Sequence, residues 1–180
     1  MLVGNEAYDP AGFVPIATVT ATGGESSLSF TSIPQGYASL QIRGLTRLSY
    51  ATTGNGYVGV RLNSDSGSNY ARHELYGNGS NANAYGLASQ TQCLYFPVPF
   101  DSNTASIRGT VIMDLHDYAS TTRNKTLRAL AGSDLNGSGD IYLSSGLWAN
   151  TAAVTTIEIG VGAGWKAGTT FALYGVKAAS

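Results

Sequence analysis

The sequence predicts an all-β fold, a single antiparallel β-sandwich of jelly-roll type with about ten strands and a short N-terminal arm. Three observations predict it. Short runs of alternating apolar and polar residues recur about every 8–15 residues, the spacing of strands in sandwiches. Gly-, Asn- and Ser-rich turns separate the runs, and the 180 residues include 23 Gly. No stretch of useful length carries the 3.6-residue period of a helix.

Residues 1–12 contain Gly4, Asn5, Asp9, Pro10 and Gly12, which break regular structure, and read as an arm outside a sandwich of residues 13–180. Leu2, Val3, Tyr8 and Phe13 are its apolar anchors, suited to lying on a partner. The first strand is Phe13–Thr20, with Pro15 fitting an edge position because proline cannot donate to a ladder. Ser27–Ile33, Ala38–Leu45 and Tyr57–Asn63 alternate cleanly, placing Leu28, Phe30, Leu40, Ile42, Val58 and Val60 inward. Tyr70–Gly77 is the next strand, Asn78–Tyr85 a long loop, and Ala88–Val98 one strand closed by Pro97 and Pro99. Ser106–Asp114 puts Val111 and Met113 on one face with Ile107 and Leu115, and one helical turn is expected over His116–Thr122. Thr126–Ala131, Ile141–Trp148, Val154–Val161 and Thr169–Val176 complete the set, adding Ile157, Ile159, Phe171 and Leu173 to the core. The last strand is apolar on both faces, so it should be central or covered by a neighbouring subunit.

Composition narrows the function. Charged residues make up 12% against a usual ~25%. So few charges leave little repulsion between copies, which suits a chain packed against itself or a larger assembly. A net charge of -1, with scattered Lys and Arg, speaks against a nucleic-acid partner. No apolar run is long enough for a membrane helix, and Met1–Pro10 lacks a signal-peptide pattern. The single cysteine, Cys93, reads as a small core residue.

Candidate chemistry is thin. Asp114 and His116 share one side of an extended chain, but a metal site needs at least one more ligand. The protein has only two histidines, His73 and His116, and no Gly-x-Ser-x-Gly elbow between a strand and a helix. Asp134–Asp140 offers oxygens at alternate positions like a calcium loop, yet lacks the closing bidentate glutamate and reads better as a hairpin. No enzyme, metal or cofactor is therefore expected. The aromatics are more informative: Tyr142 and Trp148 share one strand face, and Trp165 lies in the turn Gly162–Gly168. They serve either to stack on a sugar or to fill core and intersubunit gaps.

Several segments resemble small virion proteins of tailed bacteriophages. They are Ser32–Tyr37 leading into Leu40–Gly44, Leu62–Asp65 to Asn69-Tyr70, His73–Gly77, Asn124–Thr126, Asn136–Asp140, Ser145–Ala153 and Phe171–Lys177. The likeness spans roughly residues 14–177 and consists of turns and strands. It implies a non-enzymatic structural component of a particle, made in the host cytoplasm and located in the virion. With no long N-terminal shaft or coiled coil in the sequence, a capsid decoration or cement protein is expected. It would pack against the major capsid or tail protein and its own copies, with a homotrimer favoured. The rival expectation is a tail-fibre or baseplate-associated module that binds a host surface glycan.

Overall fold

The computed structural model describes residues 12–104, 106–160, 162 and 164–178. Twelve strands form two antiparallel sheets, and no helix occurs among the described residues. The strands are β1 (Phe13–Thr20), β2 (Leu28–Phe30), β3 (Ser39–Thr46), β4 (Asn55–Leu62), β5 (Tyr70–Gly77) and β6 (Ala82–Gln90). They continue with β7 (Cys93–Pro99), β8 (Gly109–His116), β9 (Lys125–Asp134), β10 (Gly139–Trp148), β11 (Ile157–Ile159) and β12 (Thr170–Val176). The large sheet runs β1-β12-β3-β8-β9-β10-β5-β6, and the small one β2-β11-β4-β7. The chain winds back and forth between the sheets, but eight and four strands depart from the equal sheets of a simple jelly roll.

The core lies where period-2 alternation puts it. Leu28, Phe30, Leu40, Ile42, Val58, Val60, Val111, Met113, Ile157, Ile159, Phe171 and Leu173 are all buried in one cluster. Cys93 is buried among them, and burial pushes its thiol up to about 12. Pro15 sits on β1, an edge strand, beside a register shift that spares the ladder its missing donor.

Two loops are held by buried cations. Arg47 donates from Nη1 to the carbonyls of Thr104 (3.1 Å) and Ile107 (2.8 Å), and from Nη2 to those of Asp101 and Asn103 (2.8 Å each). Lys125 Nζ donates to the carbonyls of Arg123 (2.6 Å), Ser120 (2.8 Å) and Thr151 (3.1 Å). Burial holds the Lys125 ammonium below its usual pKa.

The structure corrects four expectations. Asn78–Tyr85 is not all loop, because β6 begins at Ala82, and Ala88–Val98 is split by a turn at Thr91-Gln92 into β6 and β7. Ile107 lies outside β8, its carbonyl bound by Arg47. His116–Thr122 forms turns instead of a helical turn: Asp117 has φ 55°, and Ser120 N–H donates to its carbonyl at 2.9 Å. The last strand is an interior strand of its sheet, the first of the two expected alternatives. β12 lies between β1 and β3, and on its outward side Arg43 stacks over Tyr174, 4.8 Å from the ring centroid.

Candidate interaction surface

A close approach of β7 to the large sheet decides where the bulky aliphatics of β9 and β10 go. A Cβ on Gly146 would lie 3.0 Å from Cys93 Cβ and 3.3 Å from Leu94 Cδ2. Ser144 Oγ donates to the Tyr95 carbonyl at 2.8 Å. Only small side chains fit under this strand, so Ala129 and Ala131 of β9 and Ser144 and Gly146 of β10 point inward. Alternation then turns Leu130 of β9 and Ile141, Leu143 and Leu147 of β10 to the outside.

These residues join a row across the outer face of the large sheet. Register pairs Ile112 (β8) with Leu130, Leu130 with Leu143, and Leu143 with Leu75 (β5). All four are about half exposed, between 47% and 54%. Ile141, Leu147 and Leu45 lie on the same face. Ser145 and the polar positions aligned with it set Leu147 apart, and the other six together expose on the order of 500 Å² of aliphatic surface, within the ~300–600 Å² range for the largest patch on a monomer. Two adjoining shallow concavities, about 720 Å³ and 260 Å³, share Leu75 and Leu143.

A polar ladder runs beside the apolar row. Register aligns Gln41, Asp114, Arg128, Ser145 and His73. Arg43 Nε donates to Gln41 Oε1 (2.8 Å), Gln41 Nε2 to Asp114 Oδ1 (2.9 Å), and Arg128 Nε to Asp114 Oδ2 (2.9 Å). Burial alone would raise the Asp114 carboxyl, but the bonds from Gln41 and Arg128 outweigh it and hold the carboxyl below its usual range. The His73 ring lies close against Gly86 of β6, where a Cβ would come within 2.5 Å of its Cδ2. His73 and His116 both border the larger concavity. Arg128 stands between Ser145 and Asp114, so Ser145, His73 and Asp114 are not arranged as a relay.

The residues expected to form sites are dispersed. Leu2, Val3 and Tyr8 lie outside the described residues. Phe13 opens β1 and stays exposed, edge-on to Tyr174 at 6.5 Å with Arg43 4.9 Å over its ring. Trp148 and Trp165 are buried to within 1% and Tyr142 to within 5%, which leaves no ring face for a sugar and makes all three packing residues. Trp148 stacks on Tyr70, and its Nε1 donates to Asp65 Oδ2 at 2.7 Å. Trp165 meets Phe171 edge-on at 5.4 Å. Tyr142 stacks on Tyr76 at 4.8 Å. The Asp134–Asp140 segment is a hairpin. Asn136 and Gly137 take the positive φ of a two-residue turn, and the Asp140 carboxylate accepts from Asn55 and Tyr57. Asp114 and His116 do share a side, as alternation requires. Among the described residues no three His, Cys, Asp or Glu side chains converge as metal ligands.

No family model, curated protein or solved structure matches this chain. The outer aliphatic row itself was not singled out by sequence reasoning. Its signal was the alternation of Ile141, Leu143 and Leu147 against Tyr142, Ser144 and Gly146, with the small residues marking the packed side.

Proposed function

We propose that this chain is a non-enzymatic structural protein of a tailed-bacteriophage particle, a capsid decoration or cement protein. It lies against its neighbours through the outer face of the eight-stranded sheet. The observation that carries this reading is the aliphatic row Ile112–Leu130–Leu143–Leu75. A face this apolar is costly to leave in water, and its neutralised polar border suits a flat protein neighbour better than a small solute. The low charge content and the segments resembling phage virion proteins point the same way. The neighbours would be a major capsid or tail protein and further copies of this chain, arranged as a cyclic homo-oligomer with a trimer favoured.

Antibodies raised against the chain test this reading on purified particles from a lysate in which the chain is made. Regularly spaced label on the heads is the expected result. Unlabelled particles, with the chain left in the soluble fraction, overturn it. The rival reading, a glycan-binding module of the tail, gains from one feature, an aromatic-lined groove on the other sheet.

A further inference from the structure

A second concave site lies on the four-stranded-sheet side of the sandwich, away from the aliphatic row. It is a groove of about 230 Å³ walled by Tyr50, Tyr57, Tyr95 and Phe100, with Gly59 and Gln92 among its lining residues. Tyr50 and Tyr57 are nearly half exposed, unlike the buried Tyr142, Trp148 and Trp165.

Each tyrosine is held by the fold. Tyr50 is edge-on to Phe100 at 5.8 Å, and its hydroxyl donates to the Gly162 carbonyl at 3.3 Å. Tyr57 leans on Tyr142 at 5.5 Å and donates to Asp140 Oδ2 at 3.0 Å. Tyr95 carries the Arg72 guanidinium 3.7 Å over its ring and accepts from Gln92 Nε2 at 3.2 Å. Rings fixed before binding lose little freedom when a ligand arrives. Gln92 lies against Gly59, where a Cβ would come within 2.8 Å of its Cδ.

The polar groups left over define the ligand. The Tyr50 and Tyr57 oxygens keep lone pairs, the Tyr95 hydroxyl keeps its proton, and the Gln92 carbonyl can accept. Among the described residues no charged side chain lines the groove. Its volume falls below the ~300–1,000 Å³ of drug-sized sites. Aromatic walls with a few neutral donors and acceptors suit the apolar C–H face and hydroxyl rim of a single sugar ring. We propose that this groove binds one uncharged pyranose residue of a glycan, with Tyr50 and Tyr57 as its stacking walls. The proposal stands on the groove alone and does not depend on the aliphatic face being an interface.

The test uses the purified full chain and saturation-transfer NMR with methyl glycosides of glucose, galactose and mannose and with N-acetylglucosamine. At least one sugar should bind saturably, and Tyr50→Ala and Tyr57→Ala should each weaken it about tenfold or more, a loss of about 1.4 kcal/mol. Gly59→Ala provides a check that keeps every aromatic ring. Its methyl group should push Gln92 into the groove and weaken the same sugar, with the melting temperature nearly unchanged. No saturable binding across the panel, or binding undiminished in the folded Tyr50→Ala and Gly59→Ala variants, overturns the proposal.

Discussion

Replacing the central opposed pair of the outer row, as Leu130→Lys with Leu143→Glu, separates folding from association. The two positions face each other across β9 and β10, so the new side chains form a cross-strand pair of opposite charge. Both leucines are already about half exposed, and the lysine stem recovers part of the lost apolar contact. The cost to folding should therefore stay within about 1 kcal/mol, well below the ~2–5 kcal/mol of a core truncation. Association should suffer far more. Covering the exposed half of each leucine contributes about 1 kcal/mol, so roughly 2 kcal/mol disappears at once. A partner must then also desolvate an ion pair, which costs several kcal/mol unless new partners compensate. The combined loss of at least ~3 kcal/mol weakens association about 100-fold or more. Sedimentation velocity across a wide concentration range reads the association, and thermal unfolding reads the fold. Wild-type association with an unchanged constant in the folded double variant would refute the reasoning.

Two further outcomes follow from buried or bonded charges elsewhere. Lys125→Met removes the ammonium shared by the carbonyls of Ser120, Arg123 and Thr151, and it should cost about 2–4 kcal/mol in chemical denaturation, since hydrogen bonds to charged groups contribute ~1.5–3 kcal/mol each. Glu25 is held down to about 2 from an ordinary 4.5, chiefly by the Thr22 hydroxyl and then by the backbone N–H groups of Thr22 and Gly23. Because the folded-state value is depressed, this contribution is complete above pH 4.5 and lost as pH falls toward 2. Melting curves across that window should show a shallower acid decline for Glu25→Gln than for wild type.

How much of this was legible in the sequence varies by element. β1 and β5 were readable to the residue, because Gly- or Asn-rich turn signals bound each of them, and β12 to within one residue, because Gly168 marks its start. β6 was missed because Ala82–Gln90 is exposed along nearly its whole length and has no core face to imprint a pattern. Its split from β7 was missed because Thr91-Gln92 lacks the Gly, Asn or Pro that usually marks a turn; the positive φ falls instead on Ser89 and Leu94. The aliphatic row was hidden for another reason. On β10 both faces carry large apolar groups, and hydrophobicity alone would send Ile141 and Leu143 inward. Only the closeness of β7, visible in three dimensions at Gly146 and Ser144, reverses that choice. The groove was equally hidden, since Tyr50, Tyr57 and Tyr95 come from a loop and two strands distant in sequence.

Side-chain oxidation footprinting tests most directly whether the aliphatic face is an interface. The chain is oxidised once in dilute solution and once assembled, and each side chain's reactivity is compared. Ile112, Leu130, Leu143 and Leu75 should lose most of their reactivity on assembly, while Tyr50 and Tyr57 in the groove stay as reactive as before. Equal oxidation of the four aliphatic residues in both states, with protection appearing on another face, would contradict the account.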